Sequence, residues 1–160
     1  MKKFLIQFFL LIALITAAIV IYQKGNAVEI PFIPQLPKMI TLQINDSIIR
    51  AEVAETSSQR SKGLGGREQM ASDSGMLFVF EKSDKHAFWM KELKFPLDFI
   101  WIKDDLVADV LENIPQPAQN EPDSSLQIYS SKSAVNKVLE VNAGTVKRLN
   151  IKSGDRVLVK

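Results

Sequence analysis

Two carboxyls and three cations stand in this chain where charge is costly. Residues 75–98, GMLFVFEKSDKHAFWMKELKFPLD, mix bulky apolar and ionisable side chains more closely than any other stretch. Lys91 and Asp98 there border hydrophobic runs, and Glu140 is embedded in another at residues 138–141. A charge beside buried apolar surface must be paired or hydrated. Two carboxyls in different environments can divide acid and base roles, which would make Asp98 and Glu140 the pair of an envelope glycan hydrolase if they lie about 5–10 Å apart in an open cleft. The alternative is structural, with each carboxyl neutralised by Arg60, Arg67 or Lys91, or capping a turn. Arg60 and Arg67 flank a glycine loop, Gly63, Gly65 and Gly66, whose backbone N–H groups could join them in holding an anion. Trp89 and Trp101 add flat faces suited to a sugar, unless both are core. The ligand site expected from these residues is Arg60, Arg67, Lys91 and Asp98, with Glu140 behind them.

Other chemistries find fewer residues to work with. One histidine, His86, and no cysteine cannot build a usual zinc site, and Asp104 and Asp105 lack the ligand spacing of a calcium loop. No metal and no cofactor is therefore expected. Ser72, Ser74 and Ser83 lie near His86 in sequence, but none sits in a nucleophile elbow. The glycine loop follows no strand and carries no phosphate-loop lysine. Of 20 basic and 18 acidic residues, Lys2, Lys3 and Lys24 belong to the amino-terminal segment, which leaves 17 against 18, a net charge of −1. That balance offers nucleic acid no electrostatic footprint.

The elements that must position these groups read as mostly β. Residues 76–80 and 87–90 are short apolar runs rich in Phe, Trp and Val, read as strands buried on both faces, with a polar connection at 81–85. Residues 39–45 alternate, turn at Asn45 and Asp46, and alternate back through Ile49, Ala51 and Val53, the pattern of a hairpin. Thr56 and Gln59 have capping-box spacing for a short helix that stops at Gly63. Residues 99–102 and 106–111 form a second hairpin, 113–125 a long surface loop, 138–141 a core strand, 146–150 a short helix and 156–159 the last strand. The sum is a small antiparallel sandwich or partly open barrel with two short helices.

Before this domain lies a different kind of segment. Residues 4–22 are apolar except for Gln7 and Thr16 and would span roughly 28 Å as a helix, close to the roughly 30 Å hydrocarbon core of a bilayer. Lys2 and Lys3 precede it, so the positive-inside bias leaves the amino end in the cytoplasm and the rest outside. A secretory signal cleaved near Gly25–Ala27 is the competing reading, and it also exports the domain. Pro31, Pro34 and Pro37 then suggest a polyproline spacer. The expected organisation is an anchor or signal at 1–26, a spacer at 27–38 and an extracytoplasmic domain at 39–160. With no cysteine, that domain must be held by its core.

Arg60, Gly63, Leu64 and Arg67, the run from Gly75 to Phe80, Phe88 to Lys91, Pro96 to Asp98, Tyr129, Leu139 to Gly144, and Gly154 with Asp155 together resemble the domain of unknown function 192 family, also called uncharacterised protein family 0127. The resemblance covers roughly residues 40–160. It implies a compact, jelly-roll-like β fold, often behind a membrane anchor or signal, and no established activity or functional residues. Two positions depart from the family pattern: Gly65 where Met is usual, and Glu92 with Leu93 where Asn and Thr are usual. The expected function is a membrane-anchored binding or accessory domain for a small polar or anionic envelope ligand. Its partners would be the membrane, through residues 4–22, and that ligand. The alternatives are the glycan hydrolase and a structural or assembly protein without a pocket.

Overall fold

The structure, a computed structural model, describes residues 2–25 and 36–160, with side chains described for 5–20 and 36–160. It divides into two units, residues 1–36 and 37–160. The first contains α1 (Lys2–Gly25), whose described side chains are exposed and, apart from Gln7 and Thr16, apolar. Among the described residues no helix is long and apolar enough to cross a membrane. The proline spacer expected at 27–38 lies mostly outside the described residues.

The second unit begins with the expected hairpin, β1 (Met39–Ile44) and β2 (Ser47–Ala54), joined by Asn45 and Asp46. α2 (Ser57–Lys62) follows behind a complete capping box: Gln59 N donates to Thr56 Oγ1, while Thr56 N donates to Gln59 Oε1. The helix stops at Gly63, whose φ of 49° lies in the left-handed region. β3 (Ser74–Asp84), β4 (Leu97–Lys103), β5 (Leu106–Ile114), β6 (Val135–Asn142), the single turn α3 (Thr145–Arg148) and β7 (Val157–Val159) complete the chain.

All seven strands lie in one sheet, ordered β5-β4-β6-β3-β2-β1-β7. The sheet curls into a half-barrel. Leu106, at the start of β5, bridges to Arg156, at the approach to β7, and Val107 N donates to Asp155 O at 2.9 Å. This corrects the sandwich expectation, because the described residues form no second sheet. The sheet is mainly antiparallel, with one exception, because β2 and β3 run parallel. Parallel neighbours need a crossover connection, and α2 with the glycine loop supplies it.

A second correction concerns residues 87–90, which make no strand. Phe88 and Met90 are buried and Trp89 is exposed, so the alternation is real. The only pairing there is an isolated bridge from Phe88 to Tyr129. β3 continues through the polar residues to Asp84, and the chain then lies over the sheet as a covering loop. Apolar side chains pack on both faces of the sheet. The inner face gathers Leu42, Ile44, Leu77, Ile100, Leu139 and Val141 under Val146 and Ile151. The outer face gathers Met76, Phe78, Phe99, Trp101 and Val138 under Leu64, Phe88, Met90 and Leu93.

Candidate functional site

Strand register decides which of the expected residues can meet. Glu140 of β6 stands opposite Phe99 of β4 and Met76 of β3, and Met76 stands opposite Glu52 of β2. Directly paired residues share a face, so this row lies on the outer side of the sheet. Asp98 pairs with Val141 and therefore points to the inner side. Asp98 and Glu140 are on opposite faces.

Asp98 is fully buried rather than at a rim. Its Oδ1 accepts a hydrogen bond from Asn113 N at 2.8 Å, and its Oδ2 accepts one from Val146 N at 2.9 Å. One carboxyl thus fastens the end of β5 and caps the first turn of α3. It faces no cleft, and the paired carboxyls that glycan hydrolysis requires are not brought together.

Glu140 has the opposite surroundings. Only 4% of it is exposed. Burial is what acts on its carboxyl, pushing it up to about 8. At neutral pH it is mostly a carboxylic acid, able to donate a hydrogen bond as well as accept one. It forms part of the lining of a cleft of about 460 Å³ on the outer face. The end of α2 and the Gly63–Gly65 loop form one side, Phe78 and Phe80 of β3 another, and Phe88, Trp89 and Lys91 of the covering loop the third. Gly65 allows the first and third sides to approach, since a Cβ there would lie 3.1 Å from Lys62 O and 3.4 Å from Lys91 O.

The walls are set by aromatic packing. Phe88 meets Phe78 edge to face at 5.0 Å and Trp101 at 5.5 Å, both near-perpendicular. Trp101 is core. Trp89 is 47% exposed and lies at the mouth, with Lys91 Nζ 5.8 Å from its ring centre. Read from the sequence, the two tryptophans are alike, and Phe78, Phe80 and Phe88 belong only to core runs. Alternation across 87–90 is the signal that distinguishes Phe88 from Trp89.

Of the expected cations, two line the cleft. Arg60 Nη1 donates to Glu55 O at 2.7 Å and to Val79 O at 2.9 Å, while its guanidinium lies 5.0 Å from the Phe80 ring centre. It ties the cap of α2 to β3 and contributes the side of the cleft. Lys91 pairs with Asp123, whose hydrogen bond and charge raise the ammonium above its ordinary value. Arg67 lies outside, paired with Glu52 at 2.7 Å. Among the described residues no cluster of His, Asp and Glu could hold a metal. The structure therefore brings Arg60, Lys91 and Glu140 to one cleft and takes Arg67 and Asp98 elsewhere.

No curated protein matches the chain significantly. Two crystal structures resemble it closely. A protein from Sinorhizobium meliloti 1021, provisionally named a transcription regulator, is 34% identical over 77% of this chain and 95% of its own, with a TM-score of 0.69. A protein of unknown function from Novosphingobium aromaticivorans is 28% identical over 80% of this chain and 89% of its own, with a TM-score of 0.66. The family model described as Uncharacterized ACR matches residues 40–159, so the β domain with its glycine loop, aromatic cleft and buried Glu140 belongs to the DUF192 family.

Proposed function

We propose that the chain is a membrane-anchored domain that binds a small polar ligand in the outer-face cleft. Glu140 carries this reading. A carboxyl buried in the middle of a strand, without a charge to balance it, is costly to the fold, and its position in the cleft lining gives that cost a use. Aromatic walls beside a few polar groups are the usual make-up of a small-molecule site. The anchor is supported by the apolar run 4–22 within α1, interrupted only by Gln7 and Thr16 and following Lys2 and Lys3. Such a helix needs either a protein core or a bilayer to cover it. A role in transcription, the name given to the Sinorhizobium relative, finds little electrostatic support, because residues after Lys24 carry a net charge of −1.

A thermal-shift screen of the full-length chain in lipid nanodiscs tests the binding reading, with envelope sugars, peptidoglycan fragments, organic acids, nucleotides and metal salts as the panel. A compound at 100 times its Kd stabilises the folded state by about 2.7 kcal/mol. We expect a shift from at least one compound, and its loss in Trp89→Ala, which removes an exposed side chain from the mouth. A panel that shifts nothing, or shifts that survive Trp89→Ala and Glu140→Ala alike, would leave the assembly role in its place.

A further inference from the structure

The cleft joins a buried carboxyl to a lining that carries charged side chains, and this constrains its occupant. At the inner end Glu140 lies between apolar Met76 and Phe99 on the neighbouring strands. The charged groups facing it can be named element by element. The α2 side presents Arg60 and Lys62, and the covering loop presents Lys91 and Glu92. Across Met76 on β2 stands Glu52, engaged with Arg67. Arg60 is held on backbone carbonyls and Lys91 on Asp123, and among the described residues neither they nor Lys62 form an ion pair with Glu140, on which burial alone acts. Burial then keeps its proton on.

A deprotonated Glu140 among aromatic rings would suit an organic cation. The rest of the lining argues against that occupant, since Arg60, Lys62 and Lys91 still outnumber Glu92 and the Asp123 that pairs with Lys91, a net positive charge that would repel it. A protonated Glu140 instead offers a hydrogen-bond donor at the floor, with positive charge at the mouth and the half-exposed face of Trp89 beside it. Building on the ligand-binding reading above, we propose that the cleft takes a six-membered ring bearing a carboxylate. The ring lies against Trp89 and Phe80, the carboxylate faces Lys62 and Lys91, and an oxygen across the ring accepts the Glu140 proton. An acidic saccharide and a hydroxylated aromatic acid both have this chemistry.

Isothermal titration calorimetry on the full-length chain separates them, with glucuronate and 4-hydroxybenzoate as probes and glucose and tetramethylammonium as controls. At pH 7 we expect at least one acid to bind tenfold or more tighter than either control, and the preferred acid tells saccharide from aromatic. Its affinity should fall about fivefold by about pH 8.8, where Glu140 has lost most of its proton while the lysines and the phenol of the aromatic probe keep theirs. Glu140→Gln, which keeps a neutral donor, should bind within threefold of the parent at pH 7 and lose most of the pH dependence. Glu140→Ala should lose tenfold or more. Tight tetramethylammonium binding that strengthens with pH would overturn the proposal while leaving the cleft a ligand site. Failure of both acids to bind, or binding that Glu140→Ala does not weaken, would overturn it too, and the broader thermal-shift panel then decides separately whether the cleft binds anything.

Discussion

Asp98 and Glu140 lie on adjacent strands, one residue out of register, and that single step gives two carboxyls opposite tasks. Asp98 receives two backbone N–H groups and has no room for other chemistry. Replacing it by Ala leaves both donors without partners in a dry interior, which should destabilise the domain by about 3–5 kcal/mol. Urea unfolding measures this. Glu140 makes the reverse prediction. Its folded value near 8 lies above that of an unfolded glutamate, so the fold binds an extra proton between the two. The Glu140 contribution to stability is therefore full below about pH 4.5 and declines by roughly 1.4 kcal/mol per pH unit until about pH 8. Glu140→Gln should remove that decline, so the variant matches the parent near pH 5 and exceeds it at pH 8.5. Parallel urea curves for the two proteins at each pH would refute this burial. The sequence makes both carboxyls conspicuous as charges in apolar runs. It does not say which face either takes, because face depends on pairing register, and register is set by strands distant in the chain.

The elements around the cleft were legible to different degrees, for physical reasons. The capping box and the glycine stop of α2 are local chemistry, and both appear where their spacing puts them. The stretch 87–90 has strand composition but no strand, since composition specifies burial and alternation rather than a hydrogen-bonding neighbour. Its role as a covering loop depends on Tyr129, some forty residues on, and on Asp123, which holds Lys91. The parallel pairing of β2 with β3 was hidden likewise, being a consequence of the crossover's path. One departure from the family pattern now has a backbone meaning. Glu92 adopts φ 57°, and its carbonyl accepts Gly66 N at 3.0 Å, joining the covering loop to the glycine loop. Asn tolerates the left-handed region better than Glu. Glu92→Asn should therefore stabilise the domain by about 0.5–1 kcal/mol, visible as a raised urea midpoint with an unchanged slope. A lower midpoint would mean that the Glu92 side chain contributes more than the strain it imposes.

At the scale of the whole molecule, a sheet covered on both faces leaves only its edges to protect. β7 is three residues long, and the start of β5 is engaged by residues 154–157, with Arg156 and Asp105 3.7 Å apart. Short or occupied edges resist pairing with other chains. All of these contacts fall within residues 37–160, and α1 belongs to the other unit. If α1 serves as an anchor and contributes nothing to the β core, deleting residues 2–25 should change where the protein is found and not how firmly its domain folds. Expressed in a bacterium, the full chain should sediment with membranes and stay there through alkaline carbonate washing. The deletion variant should appear in the soluble fraction and unfold at the same urea concentration as the full chain in nanodiscs, to within the error of the midpoint. Carbonate release of the full chain would remove the anchor from the proposal. A large loss of stability in the deletion variant would instead show that α1 supports the fold, because a helix covered by lipid has no apolar surface left to lend to a core.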